Sequence, residues 1–179
     1  MSAKLLKQIF KKVYGKPSWN THRVYGSIIV FEFGKPKLEV LKKVFYPNKK
    51  SFRKYPRRMV IVRGEWSLTI YCCDWEFRQG NQKICSSKSR IEKIGQGCSI
   101  LDGQILTKTT VDPKTLRTDF YFDLGGHLQA VPWKNESKPY EIWWLRCSDH
   151  YFYSLRSDGK YSYNLSTPPD EKKWIQFQF

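Results

Sequence analysis

Acidic side chains are scarce where this chain begins. Residues 1–63 hold two, Glu32 and Glu39, against 17 Lys or Arg, a net of +15. Residues 64–179 hold 14 acidic and 15 basic side chains, a net of +1, so nearly all of the overall +16 sits in the first third. Such asymmetry points to an acidic partner, whether nucleic acid, an anionic membrane or an acidic protein surface. Histidine is also sparse: His22, His127 and His150 are far apart. Only Cys147 and His150 stand at ligand-like spacing, and two ligands on one turn without a second pair do not make a zinc site. The five cysteines (72, 73, 85, 98 and 147) include no CxxC, and their number is odd. Cys72 and Cys73 would point to opposite faces of a regular strand, so they cannot bridge each other. A disulfide framework is excluded, and free thiols in a reducing cytoplasm are expected.

Long hydrophobic runs are missing, which excludes a transmembrane helix. The first fifteen residues alternate Lys with apolar side chains and contain no signal-peptide core, so a cytoplasmic location is expected. There is no GxSxG elbow, Walker loop or dinucleotide fingerprint. No repeat recurs at a fixed period, which excludes propellers and solenoids. Neither a cofactor nor a metal is implied.

What is abundant is aromatic. Phe, Trp and Tyr make up 16% of the 179 residues, and these side chains favour pleated, half-buried positions. The length suits one domain, 1–179. It divides into a basic amphipathic helix (1–15), a β-rich core (16–165) and a C-terminal tail (166–179). In KLLKQIFKKVY (4–14), Leu5, Leu6, Ile9, Phe10 and Val13 recur at helical spacing, with Lys4, Lys7, Lys11 and Lys12 opposite. Gly15 and Pro17 end the helix. Its apolar stripe is expected to dock on the sheet, with membrane-surface or partner-groove contact as the other readings. Strands are predicted at 24–33, 38–46, 59–62, 65–77 and 83–85, with a short helix at 87–95. After that, Asp102-Gly103, Asp112-Pro113, Gly125-Gly126, Ser148-Asp149 and Asp158-Gly159 punctuate aromatic and β-branched runs. The pattern predicts a mainly β antiparallel meander, closed into a barrel or folded into a sandwich.

Catalytic patterns are thin. Asp119 and Asp123 share a strand face at about 13 Å, too far to share a metal or flank one bond. Asp123 is expected to organise the Leu-Gly-Gly turn. The strongest candidate site is YPNKKSFRKYPRR (46–58). Lys49, Lys50, Arg53, Lys54, Arg57 and Arg58 supply six positive charges, with Phe52 and Tyr55 between them. Pro47 and Pro56 disfavour a long helix. Such cations neutralise phosphates without reading sequence, and interleaved aromatics stack on unpaired bases. Lys4, Lys7, Lys11 and Lys12 form a secondary basic face. The competing reading is a solvated loop pinned by its two aromatics.

RGEWSLTIYCCDWEF, LDGQIL and FDLGGHL together resemble a group of small uncharacterised bacterial β-rich proteins. The resemblance spans roughly residues 14–165 and implies a bacterial single-domain β protein. It transfers no activity and no site residue, and it does not extend to 46–58. The first of these stretches carries a puzzle. Trp66, Leu68 and Ile70 alternate on one face, then Cys73, Trp75 and Phe77 on the other. Either the strand passes between two apolar environments, or a bulge near Cys72-Cys73 turns both halves to one core; the bulge is favoured.

The expected function is therefore a non-enzymatic binding module for an acidic partner, nucleic acid foremost. A protein-interaction factor (an inhibitor, immunity-type factor or assembly subunit) is the first alternative. An enzyme with a dispersed site is the second. A cleft gathering two or more carboxylates with a His or Lys would favour the enzyme.

Overall fold

The computed structural model describes residues 3–41, 58–134, 136–165 and 172–176. In chain order these form α1 (Ala3–Phe10), β1 (Ser18–Arg23), β2 (Ile29–Phe33), β3 (Lys37–Leu41), β4 (Met59–Arg63), β5 (Trp66–Ile70), β6 (Asp74–Gln79) and β7 (Gln82–Ser86). Then come α2 (Ile91–Leu101), β8 (Leu106–Val111), β9 (Thr118–Phe122), β10 (Gly126–Val131), β11 (Glu141–Arg146), β12 (Tyr151–Arg156), β13 (Lys160–Leu165) and β14 (Ile175–Gln176). The chain is mainly β, and every strand pairing is antiparallel.

Three sheets result. Seven strands run β1-β2-β5-β11-β12-β13-β14, five run β7-β6-β10-β9-β8, and β3 pairs only with β4. The two large sheets face each other over one core. Phe31 of the first stacks on Phe122 of the second, with centroids 5.9 Å apart. Trp143 and Phe120 meet edge to face across the same gap, and Trp143 Nε1 donates to Thr118 Oγ1 at 3.0 Å. That bond satisfies the one polar atom of the largest fully buried side chain. The layering is sandwich-like, and the described strands close no barrel. The β1 and β8 edges approach at the Pro17–Ile105 bridge, where Ser18 N–H donates to Gln104 O, Gly103 N–H to Ser18 O and Gly15 N–H to Leu106 O.

The helical stripe of α1 does what its spacing predicts. Leu6, Ile9, Phe10 and Val13 are buried, and Phe10 packs edge-on against Phe120 and Trp143. Lys7, Lys11 and Lys12 stay exposed. With its apolar face covered, α1 has none left for a membrane. The chain leaves the helix earlier than predicted, through turns to Gly15 at φ +80°.

Several expectations shift. Residues 24–28 form a turn, with Val24 N–H donating to Ile28 O and Ile28 N–H to Tyr25 O; the strand begins at Ile29. The unpredicted β1 precedes it, because SWNTHR is polar and only Ser18 and Thr21 face inward. The second helix runs later than 87–95. Ser86–Ser89 is a hydrogen-bonded turn, and Ile94, Gly97, Cys98 and Leu101 make the buried stripe of α2. Gly97 weakens the propensity signal yet is needed there, since a Cβ would collide with Cys85 Sγ. Predicted turns hold at Gly80-Asn81, Asp112-Pro113, Gly125-Gly126 and Asp158-Gly159. Of predicted strand 38–46, residues 42–46 lie outside the described residues.

GEWSLTIYCCDWEF is two strands in two sheets. β5 ends at Ile70 and β6 starts at Asp74. Between them, Cys73 N–H donates to Tyr71 O and the chain crosses from the seven-stranded to the five-stranded sheet. Both halves serve one core, as the bulge reading required: Leu68, Ile70, Cys73, Trp75 and Phe77 are all buried. The device is a corner rather than a bulge within one strand.

Candidate functional sites

In sequence, the basic segment 46–58 falls between the two strands of the β3–β4 ribbon. Of the residues singled out by sequence, Lys49, Lys50, Phe52, Arg53, Lys54, Tyr55 and Arg57 lie outside the described residues. Arg58 is exposed immediately before β4. Lys4 falls within α1, and Lys7, Lys11 and Lys12 are exposed on or just after it. None of Lys7, Lys11, Lys12, Lys35, Lys37 and Arg58 forms an ion pair with a described acid. The reason lies in Arg63. Its Nε is 3.2 Å from Glu39 and its Nη1 3.6 Å from Glu32, so it engages both acids of the first third. Glu32 is only 1% exposed and also accepts from Gly64 N–H and Ser67 Oγ. A buried carboxylate needs that many donors.

Beside the ribbon base, the outer face of the seven-stranded sheet holds a groove of about 440 Å³. Val30, Thr69 and Trp144 form its floor, Val24, Ile28 and Phe152 its walls, and Glu39, Arg63 and Arg146 its charged end. The size is ordinary for a small-ligand cleft. Its charged groups are, however, already engaged: Glu39 with Arg63, and Arg146 Nη2 with Gly64 O at 2.9 Å. Burial pulls the Arg146 pKa below its ordinary value, partly offset by Glu32.

The outer face of the five-stranded sheet is polar and ordered in two cross-strand rows. Lys83, Arg78, His127, Tyr121 and Lys108 make one; Ser86, Glu76, Gln129, Asp119 and Thr110 make the next. Asp119, 3% exposed, sits among Arg117 Nε (3.0 Å), His127 Nε2 (2.8 Å) and Gln129 Nε2 (3.1 Å). Tyr121 stacks on His127 with centroids 4.6 Å apart. Sequence reading missed this cluster. The signal was present in the alternation of TDFYFD and GHLQAV, which puts Asp119, His127 and Gln129 on one face once the Gly125-Gly126 turn fixes register. No hydroxyl or thiol bonds His127 among the described residues, so no Ser–His or Cys–His couple forms there. Asp123 holds the turn as expected, with Oδ1 accepting from Ile105 and Leu124 N–H.

On the same face, a shallow depression of about 340 Å³ gathers Asp74, Glu76, Lys83 and Lys88. It meets the composition set for a dispersed enzyme site, but not the chemistry. Asp74 pairs with Lys88, and Glu76 with Lys83 and Arg78. Hydrogen bonding from Lys83, and then from Arg78, holds the Glu76 carboxyl below its ordinary pKa, the wrong direction for a general acid.

The thiols are quiet. Burial raises all five, pushing Cys85, Cys98 and Cys147 each up to about 11. The carboxylate of Asp74 adds to the rise at Cys73. No group of three or more His, Cys, Asp or Glu side chains converges in metal-binding geometry among the described residues. No helix there is long and apolar enough to cross a membrane. No family model, curated protein or solved structure matches the chain.

Proposed function

We propose that this chain is a non-enzymatic module that binds an acidic partner, and that the partner is nucleic acid. Contact runs through Lys49–Arg58, with the α1 lysines Lys4, Lys7, Lys11 and Lys12 as a second basic face. The setting is that of a cytoplasmic, bacterial, single-domain β protein with a sandwich-like core. The observation that supports this reading most is the unneutralised charge. Among Lys7, Lys11, Lys12, Lys16, Arg23, Lys35, Lys37, Arg58 and Arg63, only Arg63 pairs with a described acid. Cations without acid partners keep their counterions until a polyanion displaces them, and release of those ions drives phosphate binding. Phe52 and Tyr55 supply ring faces for unpaired bases.

The test is fluorescence anisotropy with labelled single-stranded and duplex DNA and RNA at low ionic strength. The wild-type chain binds, and a variant with Arg53, Lys54, Arg57 and Arg58 all changed to Glu loses most of that affinity. Equal binding by the two proteins contradicts the assignment.

A further inference from the structure

The two-stranded ribbon has one face that nothing covers. In the β3–β4 register Leu38 lies opposite Val62, and Val40 opposite Val60. Alternation puts these four side chains on one side and Glu39, Ile61 and Arg63 on the other. Leu38 is 74% exposed, Val40 56%, Val60 56% and Val62 46%. They account for four of the large exposed hydrophobics and are contiguous, whereas single exposed apolar residues elsewhere need no explanation. An isolated pair of strands is marginal in water, and one that turns an aliphatic face outward is poorly placed without a partner surface.

The surroundings of that face narrow the occupant. Arg58 adjoins its outer end and Lys35 precedes its base, and both are exposed, whereas Lys37 falls on the opposite side with Glu39 and Arg63. Glu39, the only acid of the ribbon, is held by Arg63 on the opposite face. The occupant must therefore present apolar matter to the centre and negative charge around it. The face itself carries no Trp, Tyr or Arg, the side chains that anchor protein interfaces, and Leu and Val are under-represented there. It also carries no donor for base edges. A second copy would bring like charges together. An anionic lipid surface needs neither directional bonds nor a matching shape.

We propose that the Leu38-Val40-Val60-Val62 face docks on an anionic bilayer. It seats at the boundary of headgroups and acyl chains, with Lys35 and Arg58 on lipid phosphates. The unpaired strand edges keep it out of the hydrocarbon centre, where bare N–H and C=O groups are costly. Apolar contact and basic charge are the two weak signals that together give stable attachment. This inference shares Arg58 with the nucleic-acid reading but rests on the aliphatic face, which that reading does not use.

The experiment is co-sedimentation of the full chain with vesicles of phosphatidylcholine alone and of phosphatidylcholine mixed with phosphatidylglycerol. The protein is expected to pellet with the mixed vesicles only. The double variant Leu38→Ser, Val60→Ser should bind the mixed vesicles about tenfold or more weakly. Its DNA affinity and circular dichroism should be unchanged, since both residues are exposed. The proposal fails if wild type ignores mixed vesicles, or if the double variant pellets as wild type does, which would leave charge alone. It fails equally if gel filtration gives a wild-type dimer that the double variant splits. Wild-type binding to mixed vesicles without binding to DNA would sink the nucleic-acid reading and leave this one standing.

Discussion

Arg63 engages both acids of the first third, whereas beyond residue 63 seven of the fifteen basic side chains pair with five acids. There, Asp74 meets Lys88, Glu76 meets Arg78 and Lys83, Asp119 meets Arg117, Glu141 meets Lys172, and Asp158 meets Arg156 and Lys160. The two regions have similar numbers of basic residues, 17 and 15. They differ in how many of the described cations meet an acid: Arg63 alone before residue 64, and seven after it.

The contrast can be broken from either side. The largest effect is expected from reversing the cations of the basic segment. Changing Arg53, Lys54, Arg57 and Arg58 to Glu should weaken nucleic-acid binding by about two orders of magnitude at low salt. Reversing the paired Lys83 and Lys88 should change it less than about twofold, because their charge is already matched. Stability by urea denaturation should respond in the opposite sense. Asp119→Ala strips the half-buried His127 and Gln129, and the exposed Arg117, of their acceptor and should cost about 1–3 kcal/mol. Glu32→Gln should cost about 1–2 kcal/mol. It also leaves Arg63 with Glu39 alone, so binding should strengthen slightly.

Acid titration sharpens the same comparison. Hydrogen bonds from Arg156 hold the Asp158 carboxyl below its ordinary pKa, and Lys83 does the same for Glu76. Each stabilising contribution is complete above the unfolded carboxyl value of about 4. It is lost as pH falls through the lower folded value. Thermal stability should stay level from neutral pH to about 5 and drop on further acidification, less steeply in Asp158→Asn. The smallest effect concerns the thiols. With Cys85, Cys98 and Cys147 each at about 11, labelling by a disulfide reagent near neutral pH should be far slower than for a free cysteine. Rapid labelling of any of them in the folded protein would contradict their burial.

Much of the fold was legible in the sequence. The α1 stripe, the mainly β antiparallel character and the Gly80, Gly125 and Gly159 turns each rest on a local rule of periodicity or positive φ, whereas the neighbours β2–β5, β5–β11 and β6–β10 depart from the expected meander. What escaped depends on contacts distant in sequence. β1 is a polar edge strand whose inward residues, Ser18 and Thr21, carry no hydrophobic signal. Ser18 is fixed by Leu101 and Gln104 carbonyls more than eighty residues away. The Cys72-Cys73 break announced a change of face, but a bulge and a corner between sheets read alike until partner strands are known. Pairing assigns Leu68 to β11 and Phe77 to β10, in different sheets. The Asp119–His127 contact needed the β9–β10 register as well as the alternation. The basic run, by contrast, is visible in composition alone, and in sequence it falls between β3 and β4.

The central claim is that the unpaired cations of the first third bind a polyanion. The most direct measurement is the affinity of the wild-type chain for a short labelled DNA across a salt series. The account predicts a linear fall of log affinity against log salt, with a slope of magnitude about 4 or more, matching several displaced counterions. A flat line, or no binding at the lowest salt, contradicts it.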